Sequence, residues 1–172
     1  MLYIKHYQSP LGAITMSSDG EALTGLWFDS NQQNSSFSQG AKREKTNNSS
    51  KVFDEAEEWL NIYFTGRAPD FMPNISLDGT EFRKAVWDIL LSIPYGEIMT
   101  YGEIADKIAK ERGIKRMSAQ AVGGAVSHNP ISLIVPCHRV VGKNGKLTGY
   151  AGGIDKKLKL LRLEGVDTSK MV

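Results

Sequence analysis

The chain's only cysteine, Cys137, is preceded by Pro136 and followed directly by His138 and Arg139. A single thiol excludes a disulfide framework and a cysteine-based metal cluster. Two readings remain: an inert thiol packed like a small hydrophobe, or a lone nucleophile whose thiolate attacks an electrophile. A free cysteine, with a pKa of about 8.5, is only slightly ionised at neutral pH. The second reading therefore needs a base, and His138 is the nearest candidate. Successive residues on a strand point to opposite faces, so the two side chains would meet only through a bend or a water. Proline cannot donate to a sheet ladder. Pro136 is thus expected to end a strand over residues 131–135 and to leave Cys137 at its tip, where a substrate can reach it.

The elements that must hold this run fall into two parts. The first thirty residues alternate like strands, at 3–7, 11–16 and 23–28, with turn signals at Ser9-Pro10 and Ser18-Asp19-Gly20. A small antiparallel sheet follows. Residues 31–50 are rich in Asn, Gln and Ser and read as a long surface loop without chemistry. Residues 52–64 form a periodic helix with Val52, Phe53, Ala56, Trp59, Leu60 and Tyr63 on its apolar face. A proline-containing stretch from 67 to 79 marks the domain boundary, giving an N-terminal sheet-and-helix domain over 1–78 and a mainly helical domain over 79–172.

In the second part Thr80 caps a helix with core residues Phe82, Val86, Ile89 and Leu90, ending before Pro94-Tyr95-Gly96. Thr100 and Glu103 have capping-box spacing and open a helix that buries Ile104, Ala105 and Ile108. A basic connector over 110–116 leads to a helix over 118–127, and a last helix covers 155–163. With a hairpin-like turn at 143–146, the set outlines a winged helix-turn-helix; on helix packing alone a generic three-helix core fits as well. The 118–127 helix has two interior glycines, Gly123 and Gly124, each costing about 1 kcal/mol relative to alanine. Such a helix suits very close approach by another helix or by a nucleic-acid groove. Gln120 is its one large polar residue, too little for conventional base reading.

Length and composition describe an ordinary globular chain, 172 residues with 41% hydrophobic content. No run approaches the roughly 20 apolar residues of a membrane span, and the first residues lack a signal-peptide pattern. A free thiol fits a reducing, cytoplasmic setting. The net charge of +2 conceals a polarity: residues 1–100 carry 8 Lys and Arg against 13 Asp and Glu, and residues 101–172 carry 13 against 6. The second part either meets a polyanion or presents a solvated basic face.

The ordered run Ile93-Pro94-Tyr95-Gly96-Glu97, Thr100-Tyr101-Gly102-Glu103-Ile104-Ala105, Ala121-Val122-Gly123-Gly124-Ala125, Asn129-Pro130, Pro136-Cys137-His138-Arg139-Val140, Gly149-Tyr150-Ala151-Gly152-Gly153 and Leu160 to Gly165 resembles the O6-alkylguanine-DNA alkyltransferase family. The match spans about residues 80–166, half the chain. The resemblance implies an α/β protein with a winged helix-turn-helix second domain. It implies direct repair of double-stranded DNA containing O6-alkylguanine, bound through the minor groove, with O4-alkylthymine as a second candidate substrate. Cys137 would accept the alkyl group in one irreversible turnover, His138 would take the thiol proton, Glu164 would orient the imidazole, and Asn129 would brace the turn. Thr100, Tyr101, Gln120, Ala121, Gly123 and Lys143 would contact DNA; Tyr101, Val140, Tyr150 and Ala151 would line the base pocket. No cofactor, no metal, no membrane and a monomer are implied.

One departure concerns Gln120, which stands where the family usually has an arginine that fills the space of the flipped base. Another is the first domain, which has no cysteine and only His6, so no structural metal is assigned there. The competing reading is an alkyltransferase-like damage-binding protein without transfer activity, and Cys137 argues against it. A winged-helix regulator is disfavoured by the sparse polar set around Gln120, and a thiol hydrolase by the lack of a recognisable oxyanion hole.

Overall fold

The computed structural model describes residues 2–30 and 51–171; the loop expected over 31–50 lies outside the described residues. The chain divides into two units, Met1–Leu77 with Pro130–Ser132 and Ala151–Gly153, and Asp78–Asn129 with Leu133–Tyr150 and Ile154–Val172.

In the first unit, β1 (Tyr3–Ser9), β2 (Gly12–Ser18) and β3 (Leu23–Phe28) form an antiparallel sheet in the order β1-β2-β3. The β1–β2 turn closes with Ser9 opposite Gly12, whose φ of 124° a side chain would resist. Helix α1 (Lys51–Tyr63) buries the six residues its periodicity predicts, Val52, Phe53, Ala56, Trp59, Leu60 and Tyr63. Its exposed acidic face explains the negative balance of this part of the chain.

The second unit begins with α2 (Glu81–Leu91), capped as expected by Thr80, whose hydroxyl accepts the Arg83 N–H. Trp87, not Phe82, is its largest buried side chain. Phe82 stays half-buried because the Arg112 guanidinium lies over its ring, 5.4 Å from the centroid. The indole N–H of Trp87 donates to the Ala125 carbonyl at 2.9 Å, tying α2 to α4. A two-residue strand β4 (Met99–Thr100) leads into α3 (Tyr101–Arg112), which buries Ile104, Ala105, Ile108 and Ala109. Thr100 caps it by accepting the Glu103 N–H. Helix α4 (Ala119–Ser127) is capped by Ser118 and packs Val122, Ala125 and Val126 inward, against α2 and α3. Strand β5 (Val140–Val141) pairs in parallel with β4, Met99 with Val140 and Thr100 with Val141. Helix α5 (Ile154–Leu163) completes the unit.

Residues 131–135 do not form the expected strand. Ile131 makes an isolated bridge to Leu26, and Leu133 takes a φ of 71°. Prolines at 130 and 136 bracket the run and remove two ladder donors, so the backbone turns instead of extending. The expected turn at 143–146 is present without flanking strands: Lys143–Gly145 is a 3-10 turn, closed by the Gly142 N–H on the Lys146 carbonyl, with Asn144 left-handed at φ 61°, a conformation asparagine tolerates. Among the described residues no helix is long and apolar enough to cross a membrane.

Candidate active site and nucleic-acid groove

Cys137 sits on a 3-10 turn, Cys137–Arg139, and not at a strand tip. Pro136 imposes the bend, and the Val140 N–H closes it on the Cys137 carbonyl. A 3-10 turn has three residues per turn, so consecutive side chains diverge by about 120° instead of the 180° of a strand. The thiol is buried, 7% exposed, which corrects the expectation of an open position. Burial pushes its pKa up, while a hydrogen bond from Asn129 and the charge of Lys157 favour the thiolate. Asn129 follows α4, and its amide donates to the Val135 carbonyl at 2.8 Å. One side chain thus spans from the helix end to the turn.

His138 is fully buried, and burial holds its pKa below the ordinary imidazole range. Its Nε2 lies 2.5 Å from Glu164 Oε2. A carboxylate only accepts, so a neutral ring places its proton on Nε2 and leaves Nδ1 as the basic nitrogen. Glu164 Oε1 also accepts from Arg139 Nε at 2.7 Å and from the Gly96 N–H at 3.0 Å. Burial alone would raise the Glu164 pKa, but the bonds from His138 and Arg139 outweigh it and hold it at about 2. Gly96 is required by this approach: its φ is 80°, and a Cβ there would lie 3.1 Å from the Glu164 carbonyl.

Sequence reasoning missed Arg139 and Lys157. Arg139 also donates to the Ile93 carbonyl at 2.6 Å and lies over the Tyr95 ring, docking the 94–96 turn onto the site. Lys157 is 0% exposed and donates to the Thr148 carbonyl at 2.8 Å. Burial lowers its pKa to about 8, with the Cys137 thiolate acting in the opposite direction. The signal was available, because Lys157, Leu160 and Leu161 follow helical spacing on the inward face of α5, and Glu164 continues it one residue past the helix end. A lysine on a core face calls for a reason.

Tyr101, the first residue of α3, also donates to the Thr148 carbonyl, at 3.5 Å. Tyr150 has its hydroxyl buried without a hydrogen-bond partner among the described residues, and burial drives its pKa well above 10.0. Val140 is fully buried on β5. Ala151 groups with the first unit. Thr100, Tyr101, Gln120, Gly123 and Lys143 line one groove of about 790 Å³, together with Glu103 and Asn144. Ala121 is exposed on α4 but does not line it. At Gly123 an added Cβ would lie 3.8 Å from the Tyr101 ring, an ordinary contact, so the glycine spares room in the groove without relieving a clash. Among the described residues no group of three His, Cys, Asp or Glu side chains could hold a metal.

Chemically, this arrangement sets the only thiol on one turn with a neutral imidazole that an ionised carboxylate braces. Residues 81–166 match the family model described as 6-O-methylguanine DNA methyltransferase, DNA binding domain, and residues 2–78 match the ribonuclease-like domain of the same family. The chain is 42% identical over 168 residues to a methylated-DNA–protein-cysteine methyltransferase of Methanosarcina acetivorans, covering 95% of this chain and 99% of that one. It is similar to the crystal structure of Mycobacterium tuberculosis OGT in complex with DNA, with a TM-score of 0.79 and 40% identity over 94% of this chain and 92% of that one. An O6-methylguanine DNA methyltransferase of Methanococcus jannaschii is also similar, with a TM-score of 0.65, 32% identity and coverage of 93% and 92%.

Proposed function

The chain belongs to the 6-O-methylguanine DNA methyltransferase family, and from that premise we propose that it repairs alkylated DNA directly, transferring the alkyl group of O6-alkylguanine to Cys137. The observation that carries this reading is the chain's only thiol, buried on the same 3-10 turn as an imidazole that Glu164 holds by Nε2. Alkyltransferase-like binding without transfer would not need that thiol.

In this reading duplex DNA enters by its minor groove, with α3 and α4 serving as the helix-turn-helix, the 143–146 turn as its wing, and the groove at Thr100, Tyr101, Gln120, Gly123 and Lys143 accepting it. The damaged base must leave the stack, because its alkylated oxygen is otherwise out of a side chain's reach. Tyr101, Val140 and Tyr150 enclose the flipped base. The Cys137 proton passes to His138 Nδ1, directly or through water, as the sulfur–carbon bond forms and the carbon–O6 bond breaks. The guanine anion takes up a proton and regains its keto form. The thioether has no carbonyl for water to attack, so the protein acts once; in this reading it is also a cytoplasmic monomer that needs no cofactor. O4-alkylthymine offers the same alkyl–oxygen electrophile. Incubation with duplex containing O6-methylguanine should raise the chain's intact mass by one methyl group, on the peptide bearing Cys137, with one methyl per chain however great the excess of DNA. Repeated turnover, or methyl on another residue, would refute the reading.

The pKa shifts set a pH profile. Burial keeps the resting pair as thiol and neutral imidazole. The rate on free O6-benzylguanine should therefore fall on the acid side only below about 6.5, the ordinary imidazole value. Above a pH of about 8 Lys157 loses its proton and with it the charge that favours the thiolate, so the rate should fall again there. Lys157→Met should be slower at neutrality and lack the alkaline limb. An alkaline limb that persists in that variant would remove Lys157 from the account.

Gln120 has a separable role. It lines the groove from the first turn of α4 and is proposed to fill the gap left by the flipped base. Flipping costs a few kcal/mol, so about 1.4 kcal/mol of support changes a small flipped population tenfold. Gln120→Ala should slow repair of duplex about tenfold with little effect on free O6-benzylguanine, and Gln120→Arg should restore or exceed the duplex rate. Equal slowing on both substrates would make Gln120 a pocket or folding residue.

A further inference from the structure

The groove carries almost no net charge: Lys143 is its one cation, Glu103 offsets it, and Gln120 is neutral. Affinity for duplex DNA comes chiefly from cations that neutralise phosphates, so a nearly neutral groove cannot supply it. The cations lie next door. Of the 13 Lys and Arg in residues 101–172, five fall between 107 and 116, namely Lys107, Lys110, Arg112, Lys115 and Arg116, with Glu111 the single acid among them. All five are exposed, and none is in an ion pair among the described residues.

Lys107, Lys110 and Arg112 lie on the second half of α3, and the connector that carries Lys115 and Arg116 is held at both ends. Gly113, left-handed at φ 65°, ends α3, with its N–H on the Lys110 carbonyl and the Ile114 N–H on the Ala109 carbonyl. This paired closure fixes the exit direction of the chain. Five residues beyond Gly113, the Ser118 hydroxyl accepts the Ala121 N–H and starts α4. Ala119, which lines the groove, is three residues from Arg116, at most about 11 Å of extended chain. A duplex seated in the groove presents about one charge per 1.7 Å of its axis, so phosphates flanking the seated step fall within reach of Lys115 and Arg116. Ile114 stays 45% exposed between these cations and Arg112, leaving this face open to a partner.

We propose that the 110–116 connector is a phosphate-binding clamp for duplex DNA, distinct from the groove, that supplies the sequence-independent affinity the uncharged Gln120 does not. This rests on the DNA-repair reading above. It divides the labour: the groove holds the base, and the connector holds the backbone.

The test is the salt dependence of binding to a duplex containing O6-methylguanine, measured beside the rate on free O6-benzylguanine. Lys115→Gln/Arg116→Gln should weaken duplex binding at least tenfold at low salt. It should also reduce the slope of log affinity against log salt by about 1.8, close to 0.9 for each phosphate no longer neutralised. The free-base rate should stay unchanged, which also reports that the variant is folded. Lys51→Gln/Arg67→Gln removes the same charge from the first unit and should leave the slope as it was. An unchanged slope in the connector variant, as expected if the patch serves an acidic protein, overturns the clamp. An equal loss of slope in both variants also overturns it, by reducing the effect to net charge. Failure of the unaltered chain to react with O6-benzylguanine would sink alkyl transfer, while the slopes would still judge the connector.

Discussion

Cys137→Ala is expected to bind methylated duplex as the unaltered chain does and to take up no methyl group, its transfer rate falling to background. Loss of the nucleophile from a catalytic unit costs about a millionfold, and nothing in the site can substitute. Tyr150 is buried nearby, but its pKa is driven well above 10.0, so it offers no phenolate. Lys157 is bonded to the Thr148 carbonyl through the nitrogen it would need for attack, and at pH 7 it is mostly protonated. Alanine removes only the sulfur from a tightly packed turn, so folding should survive, and unchanged near-UV circular dichroism would show it. Cys137→Ser keeps the shape and tests nucleophilicity, since a hydroxyl ionises far less readily than a thiol. Methyl removal by Cys137→Ala would refute the acceptor assignment.

Glu164→Gln should be the most damaging conservative change in the second unit. The carboxylate has no exposed side-chain surface and binds His138, Arg139 and the Gly96 N–H. The amide keeps the shape but leaves the buried Arg139 guanidinium without its counter-charge, and breaking a buried pair this way costs about 3–5 kcal/mol. Chemical denaturation measures that loss. The same change lets the imidazole flip its tautomer, so the single-turnover rate should fall by about 10²–10⁴. His138→Asn should fall by a similar factor, and the double variant no further than the worse single one. Multiplicative losses would mean that Glu164 braces the fold without acting through His138. The linkage has a definite sign. The Glu164 pKa is lowered from 4.5 to about 2 on folding, so its contribution is complete above pH 4.5 and is lost as pH falls toward 2. Glu164→Gln should abolish that part of the acid sensitivity.

The sequence made the repeating features readable. Alternation located the three strands, and helical spacing located α1 and its six buried residues. Thr80 and Thr100 announced helix starts because capping is a local interaction. The features it hid depend on groups brought together only by folding. No periodicity reveals the two-residue ladder of Met99–Thr100 with Val140–Val141, since two residues are too few to show a pattern. The apolar run at 131–135 looked like a strand because burial demands the same residues in a buried turn. Sequence rules make Pro136 a strand terminator, whereas in the structure it starts the turn that hides the thiol. The role of Arg139 stays hidden in the sequence because its partners, Glu164 and the Ile93 carbonyl, lie far away along the chain.

The bond from Trp87 to the Ala125 carbonyl gives the molecule an optical reporter. The chain has three tryptophans, and Trp27 and Trp59 both belong to the first unit. Replacing those two with phenylalanine leaves one indole, 1% exposed, whose N–H reads the backbone of the helix that carries Gln120. Indole emission responds to the field at its nitrogen, so a small displacement of that helix would appear as a change in colour or intensity. The fluorescence of the single-tryptophan chain could then time the seating of DNA separately from the chemistry at sulfur, without any attached dye.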